Sequence, residues 1–287
     1  MSDTIDRNRN DDLNSLSRRG FGALSVAAGV AVVGKAEAAV EVAEEDVNVK
    51  TPDGVADAAL FYPKGKKSPA VLMWTDIFGL RPTFRDMGRR LASSGYTVLV
   101  PNPFYRTGHA PQPPKQLDFA KPEERAQLMA LAGALTVEAV NRDAGAYMDF
   151  VDGHKATNKH AKAGTVGYCM GGPFTLRTAA TRPDRIAAGM SCHGGSLVTD
   201  KPDSPHLLAP KLHGGYYFAI AANDAQRQPD QKDKLLESFS AAHVPATAVV
   251  YDGCNHGWCV ADGAAYNKDG AERAWAEMLK LYAAHLA

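Results

Sequence analysis

The chain has 287 residues, in which 32 lysines and arginines balance 32 aspartates and glutamates to a formal net charge of zero. That balance gives no electrostatic reason to expect nucleic acid or an anionic membrane as a partner. Four cysteines at this length are too few for a disulfide scaffold.

Residues 17–21 read Ser-Arg-Arg-Gly-Phe, an apolar stretch follows over 21–33, and Ala36-Glu37-Ala38 offers a small-x-small cleavage site. Paired arginines before a short apolar run are the arrangement of a twin-arginine export signal, predicted over residues 1–38. The run is too short and too rich in Gly and Ala to span a bilayer, which takes about 20 apolar residues. The expectation is delivery by the twin-arginine export machinery to the periplasm or outside the cell, with no membrane anchor after cleavage. The segment holds five basic residues and five acidic ones, so its removal leaves the charge balance unchanged. Residues 39–287 then make a single domain, large enough for a sizeable core.

Strands are predicted near 47–50, 56–62, 70–75, 96–101, 163–168, 185–191, 216–222 and 246–251, and helices near 84–93, 122–151, 172–181, 230–242 and 270–285. Apolar strands alternating with helices predict an α/β fold, a mostly parallel sheet covered on both faces with the first strands as an antiparallel edge. Functional residues belong at the carboxyl ends of such strands. The loop Pro111-Gln112-Pro113-Pro114 is either one wall of a cleft or a stiff connection.

Residues 167–171 read Gly-Tyr-Cys-Met-Gly between an apolar run and a helix-like stretch. Small residues two places either side of a nucleophile permit the sharp strand-to-helix turn of a nucleophile elbow, here presenting Cys169. Asp224 follows the apolar run 216–222, and His256 follows the run 247–251 in Asp252-Gly253-Cys254-Asn255-His256-Gly257. Nucleophile, acid and histidine in that order, each past a strand, is the α/β-hydrolase order. Asp230 is the alternative acid, although an Asp after Pro229 at a helix start more often caps. Ser191-Cys192-His193-Gly194-Gly195 offers a second Cys elbow, but residues 194–210 lack a helical period, so the segment is predicted to be a strand followed by a loop near the site. Met170, just after the nucleophile, would supply one backbone donor of an oxyanion hole. Cys254 and Cys259 flank His256 and are either a disulfide or two free thiols. The other histidines show no metal-ligand spacing, and neither metal nor cofactor is expected.

With these residues the chain resembles the dienelactone hydrolase family from about residue 46 to 287. The likeness is carried by the elbow, the Asp224/His256 pair, Asp76-Ile77-Phe78-Gly79-Leu80 after the strand 70–74, and the run 95–100 leading into Pro101-Asn102-Pro103-Phe104-Tyr105-Arg106. The resemblance implies an α/β-hydrolase fold and a cofactor-free hydrolase of small-molecule esters or lactones, acting through a Cys-His-Asp triad and a thioester acyl-enzyme. It implies Ile77 N–H as the second oxyanion donor and Asp76 as the carboxylate that modulates the thiol, where the family has a Glu. It further implies two arginines that bind a substrate carboxylate. Arg106 stands at the first position, with a structural role as the alternative, and Val260 replaces the second. Trp258 and Trp74 are candidate pocket walls, or core residues. Alternatives are a thioesterase or acyl transferase on the same triad, or a non-catalytic binding or thiol-redox module.

Overall fold

Eight strands form one sheet: β1 (Val42–Thr51), β2 (Gly54–Pro63), β3 (Ala70–Trp74), β4 (Thr97–Pro101), β5 (Ala163–Tyr168), β6 (Ile186–Cys192), β7 (Gly215–Ala221) and β8 (Ala246–Tyr251). Their spatial order is β1-β2-β4-β3-β5-β6-β7-β8. β2 runs antiparallel to both β1 and β4, and every later pairing is parallel. The antiparallel edge is as expected. The structure, a computed structural model, describes residues 40–115 and 117–286. The export-signal reading of residues 1–38 therefore lies outside the described residues.

Alternation along the buried strands sends side chains to two cores. Leu72 and Trp74 of β3 join the layer under α3 (Val137–Gly153), α4 (Gly172–Thr181) and α6 (Gln231–Ala241). Val71 and Met73 join the layer under α1 (Pro82–Ser93) and α7 (Lys268–His285). All five β3 residues are buried, which is why the strand reads as an unbroken apolar run.

The single helix expected over 122–151 is two helices, α2 (Pro122–Gly133) and α3. Thr136 separates them: its extended backbone ends the preceding turn, and its hydroxyl accepts the Ala139 N–H at 3.2 Å as the N-cap of α3. α3 packs into the core while α2 buries little beyond Leu128. The segment after β6 is a loop with one 3-10 turn (Pro205–Lys211), and it opens no α-helix at Cys192.

Candidate active site

The elbow forms where β5 ends against α4. Cys169 has φ +53°, a left-handed backbone that a non-glycine residue adopts at a cost of about 1–3 kcal/mol and that clusters at functional sites. The flanking glycines permit it. A Cβ on Gly167 would sit 1.9 Å from the Gly171 carbonyl oxygen, and one on Gly171 would sit 2.7 Å from Thr75 O and Trp74 Cβ. The turn therefore closes only with glycine at both places, and it lifts the sulfur above the carboxyl edge of the sheet.

β7 and β8 deliver the partners. Asp224 lies in the first turn of the short helix α5 (Ala222–Arg227) directly after β7. His256 lies in the turn after β8, where its N–H donates to Asn223 Oδ1 at 2.8 Å. The His256 Nδ1 to Asp224 Oδ2 distance is 2.5 Å, and His256 Nε2 stands 3.0 Å from Cys169 Sγ. Burial pulls the His256 pKa down, but hydrogen bonds to Asp224 and Cys169 outweigh it and raise the value to about 10. At 3.0 Å the imidazole Nε2 stands within proton-transfer reach of the Cys169 sulfur.

Met170 is the second residue of the 3-10 turn Cys169–Gly171, so its N–H belongs to the amides that a helix start leaves unpaired. Ile77 follows β3 and packs with Leu117 and Leu128, and Phe78, Ala132 and Met170 border the same cluster. The residues expected to supply oxyanion donors thus sit together beneath an apolar cover contributed by α2 and the segment before it.

Asp76 turns away from the role expected of it. Its carboxylate takes Arg81 Nη1 at 2.7 Å and Nη2 at 2.9 Å, and accepts the Phe78 N–H at 2.9 Å. A carboxylate this buried needs a charged partner, and the guanidinium five residues on provides it. Arg81 also binds Asp262 through Nε at 2.7 Å and Nη2 at 2.9 Å, so one side chain ties the Asp76-Ile77 loop to the loop that follows His256.

Arg106 is engaged too. It donates to both oxygens of Asp143 at 2.8 Å and to Asp53 at 2.6 Å, and lies over the Tyr105 ring at 4.5 Å. With two carboxylates already matching its charge, it serves the packing of α3 against the β1–β2 turn, its structural alternative. Val260 is 2% exposed within the α1/α7 core, so it does not face a substrate cleft, and an arginine there would bury an uncompensated charge. Trp258 stacks on Tyr251 at 5.0 Å in that core, and Trp74 donates its Nε1–H to Thr178 at 2.9 Å in the other. Both take the core alternative.

Asp230 sits at the N-terminal cap position of α6 and pairs with Lys234 at 2.7 Å, away from His256. The four cysteines are free thiols. Cys192 is 2% exposed; Cys259 rests against it, and burial first and then this contact hold the Cys259 thiol well above its ordinary pKa. Neither suits a nucleophile. Among the described residues no three His, Cys, Asp or Glu side chains are grouped to hold a metal ion. The residue given no role by the sequence is His193, whose Nδ1 accepts the Cys169 N–H at 3.1 Å. The only sequence signal was its place past a strand end, because a backbone donor leaves no trace in residue identity.

Comparison with known proteins follows the same outline. Residues 56–286 match the sequence profile of the Dienelactone hydrolase family. The carboxymethylenebutenolidase of Rhodococcus opacus is 27% identical over 187 residues, 65% of this chain and 68% of that protein. Two solved structures share the fold, each covering 86% of this chain and 99% of its own at 18% identity. They are a dienelactone hydrolase-like promiscuous phosphotriesterase from metagenomic libraries, at a TM-score of 0.70, and the dienelactone hydrolase of Anabaena variabilis ATCC 29413, at 0.62. The eight-stranded, mostly parallel sheet is that of an α/β-hydrolase.

Proposed function

Because the chain belongs to the dienelactone hydrolase family, we propose that it is a carboxylic ester hydrolase that opens esters or lactones through Cys169, His256 and Asp224. The observation that carries this reading is the continuous line from Asp224 through His256 to the sulfur, with contacts of 2.5 and 3.0 Å. The Cys169 thiolate attacks the acyl carbon. A C–S bond forms, and the carbonyl electron pair moves to oxygen, facing the N–H groups of Met170 and Ile77. His256 gives its proton to the departing alkoxide as the tetrahedral species collapses to a thioester. Water then attacks with His256 as base, and the acid leaves as the thiol is restored. Asp224 holds the imidazole in the tautomer this requires.

The site favours an uncharged acyl group. The cover over the oxyanion donors is Ile77, Phe78, Leu117, Leu128 and Met170, while Arg81 and Arg106 are each neutralised by two carboxylates. A substrate carboxylate entering there loses hydration without gaining a charged partner. The test is kcat/KM for a carboxylated lactone or ester and its methyl ester. The methyl ester is expected to lead by about 10- to 100-fold, the worth of one hydrogen bond to a charged group. A preference for the carboxylated member would overturn the charge reading, and no turnover of either would overturn the hydrolase reading.

The location is proposed from sequence. Residues 1–38 act as a twin-arginine signal, and the folded hydrolase works in the periplasm or outside the cell. Changing Arg18 and Arg19 together to Lys keeps the charge and removes the address that the export receptor reads. Full-length precursor is then expected in the cytoplasm, and processed protein found outside it would refute the route.

A further inference from the structure

We propose that His193 is a positioning residue of this site: its imidazole Nδ1 holds the main-chain amide of Cys169 while its ring braces His256, so that one side chain sets both members of the reacting pair. The inference rests on Cys169 being the nucleophile. His193 enters no bond-making step.

The geometry around His193 is closed on every side. Its own N–H is fixed to Ala219 O at the end of β7 at 2.8 Å, and its backbone has φ +41°. From there the ring reaches across to the elbow, where Nδ1 takes the Cys169 N–H at 3.1 Å. Two residues on, the Gly195 N–H donates to Cys169 O at 3.3 Å. Both main-chain polar groups of the nucleophile are thus bound by the segment 193–195, which keeps the left-handed turn at Cys169 from relaxing. The Cys169 amide, being consumed here, is not an oxyanion donor, which leaves that task to the next amide, of Met170. The close approach needs a small residue between the two contacts. A Cβ on Gly194 would lie 2.2 Å from Ser191 Oγ and 3.1 Å from Gly172 Cα at the start of α4.

The other face of the ring meets the base. The His193 and His256 ring centroids are 5.1 Å apart, and Trp258 stands edge-on to His193 at 5.1 Å. His256 is therefore confined between Asp224 and a wall of His193. An imidazole nitrogen that accepts an N–H carries no proton, so the proton sits on Nε2, which is buried and has no partner. Burial, then the charge on His256, push the His193 pKa well below its ordinary value, consistent with a ring that stays neutral and keeps its acceptor. A buried donor without a partner lowers stability, so packing alone gives no reason for a histidine here.

The test separates the acceptor from mere filling of space and from backbone strain. His193→Asn places an amide oxygen where Nδ1 was and tolerates positive φ; His193→Gly tolerates positive φ and offers no acceptor. With purified full-length protein and a neutral activated ester, His193→Gly is expected to lose about 10- to 100-fold in kcat with KM within about threefold, the scale of an amide left without its partner. His193→Asn is expected to recover most of that loss. Alkylation of Cys169 by iodoacetamide should slow in parallel in His193→Gly and be restored in His193→Asn. Should His193→Gly not fold, long-range 1H–15N spectra of the unmodified protein still decide, since the proposal requires the neutral Nε2–H tautomer of His193 at neutral pH. A protonated Nδ1, a His193→Asn variant no better than His193→Gly, or a His193→Gly variant with unchanged kcat each overturns it. Cys169→Ala run beside these variants distinguishes the two failures. If Cys169→Ala is inactive while His193→Gly matches the unmodified protein, only the positioning role falls; if Cys169→Ala is active, the nucleophile reading itself falls.

Discussion

Replacing Cys169 by alanine is expected to lower kcat/KM for a neutral ester by about 10⁴- to 10⁶-fold, the range seen when a triad nucleophile is removed and only the oxyanion donors and binding remain. Folding should survive, because main-chain contacts place the residue: Cys169 N–H on His193 Nδ1 and Cys169 O on Gly195 N–H. Alanine meets the same left-handed backbone as cysteine, so its unfolding free energy should stay within about 1 kcal/mol. The measurements are initial rates, a thermal melt, and thiol titration with iodoacetamide, which should lose its fast-reacting sulfhydryl. Near-full activity in Cys169→Ala would dismiss the elbow cysteine as nucleophile, and loss of activity with loss of fold would leave the melt to expose it.

Asp224→Asn is expected to lower kcat by about 10³- to 10⁴-fold, because an amide cannot fix the imidazole tautomer or balance its charge. Its effect on stability has a direction in pH. The His256 pKa rises on folding from 6.5 to about 10, so the folded state binds a proton that the unfolded chain has lost across that window. The stabilisation from this pair is fully present below pH 6.5 and disappears as pH climbs toward 10. The melting-temperature gap between the unmodified protein and Asp224→Asn should be widest near pH 6 and close toward pH 10. A gap constant across that range, or kcat unchanged, would remove Asp224 from the role.

How much of this was legible beforehand depended on whether a residue's role is local. The strands read clearly because β3, β5, β6 and β7 are buried on both faces and admit little but apolar or small residues. The elbow read clearly because glycines at 167 and 171 are demanded by contacts within a few residues and the adjacent strand. The break at Thr136 was hidden: its cap is a single hydroxyl on the Ala139 amide, inside a stretch of otherwise good helix formers. The partners of Asp76 and Arg106 were hidden for another reason. Arg81, which holds Asp76, reaches Asp262 across 181 residues of sequence, and Arg106 finds Asp143 across 37. Pairings of that span are decided by topology, which composition and spacing do not encode. Val260 was placed by counting from His256, yet the turn after His256 folds that side chain into the α1/α7 core.

If His256 carries the proton and the Ile77 amide receives the oxyanion, as proposed, the Arg81 bridge between Asp76 and Asp262 bears on each turnover. The loop bearing Ile77 and the loop beyond His256 come from opposite sides of β5 in the sheet, and independent motion of either would misplace an oxyanion donor relative to the proton carrier. One guanidinium holds them together through four contacts of 2.7 to 2.9 Å. The dipoles proposed to receive the developing negative oxygen would then be oriented when the chain folds. On that reading little reorganisation would be left for the moment of bond formation, when it would add directly to the barrier.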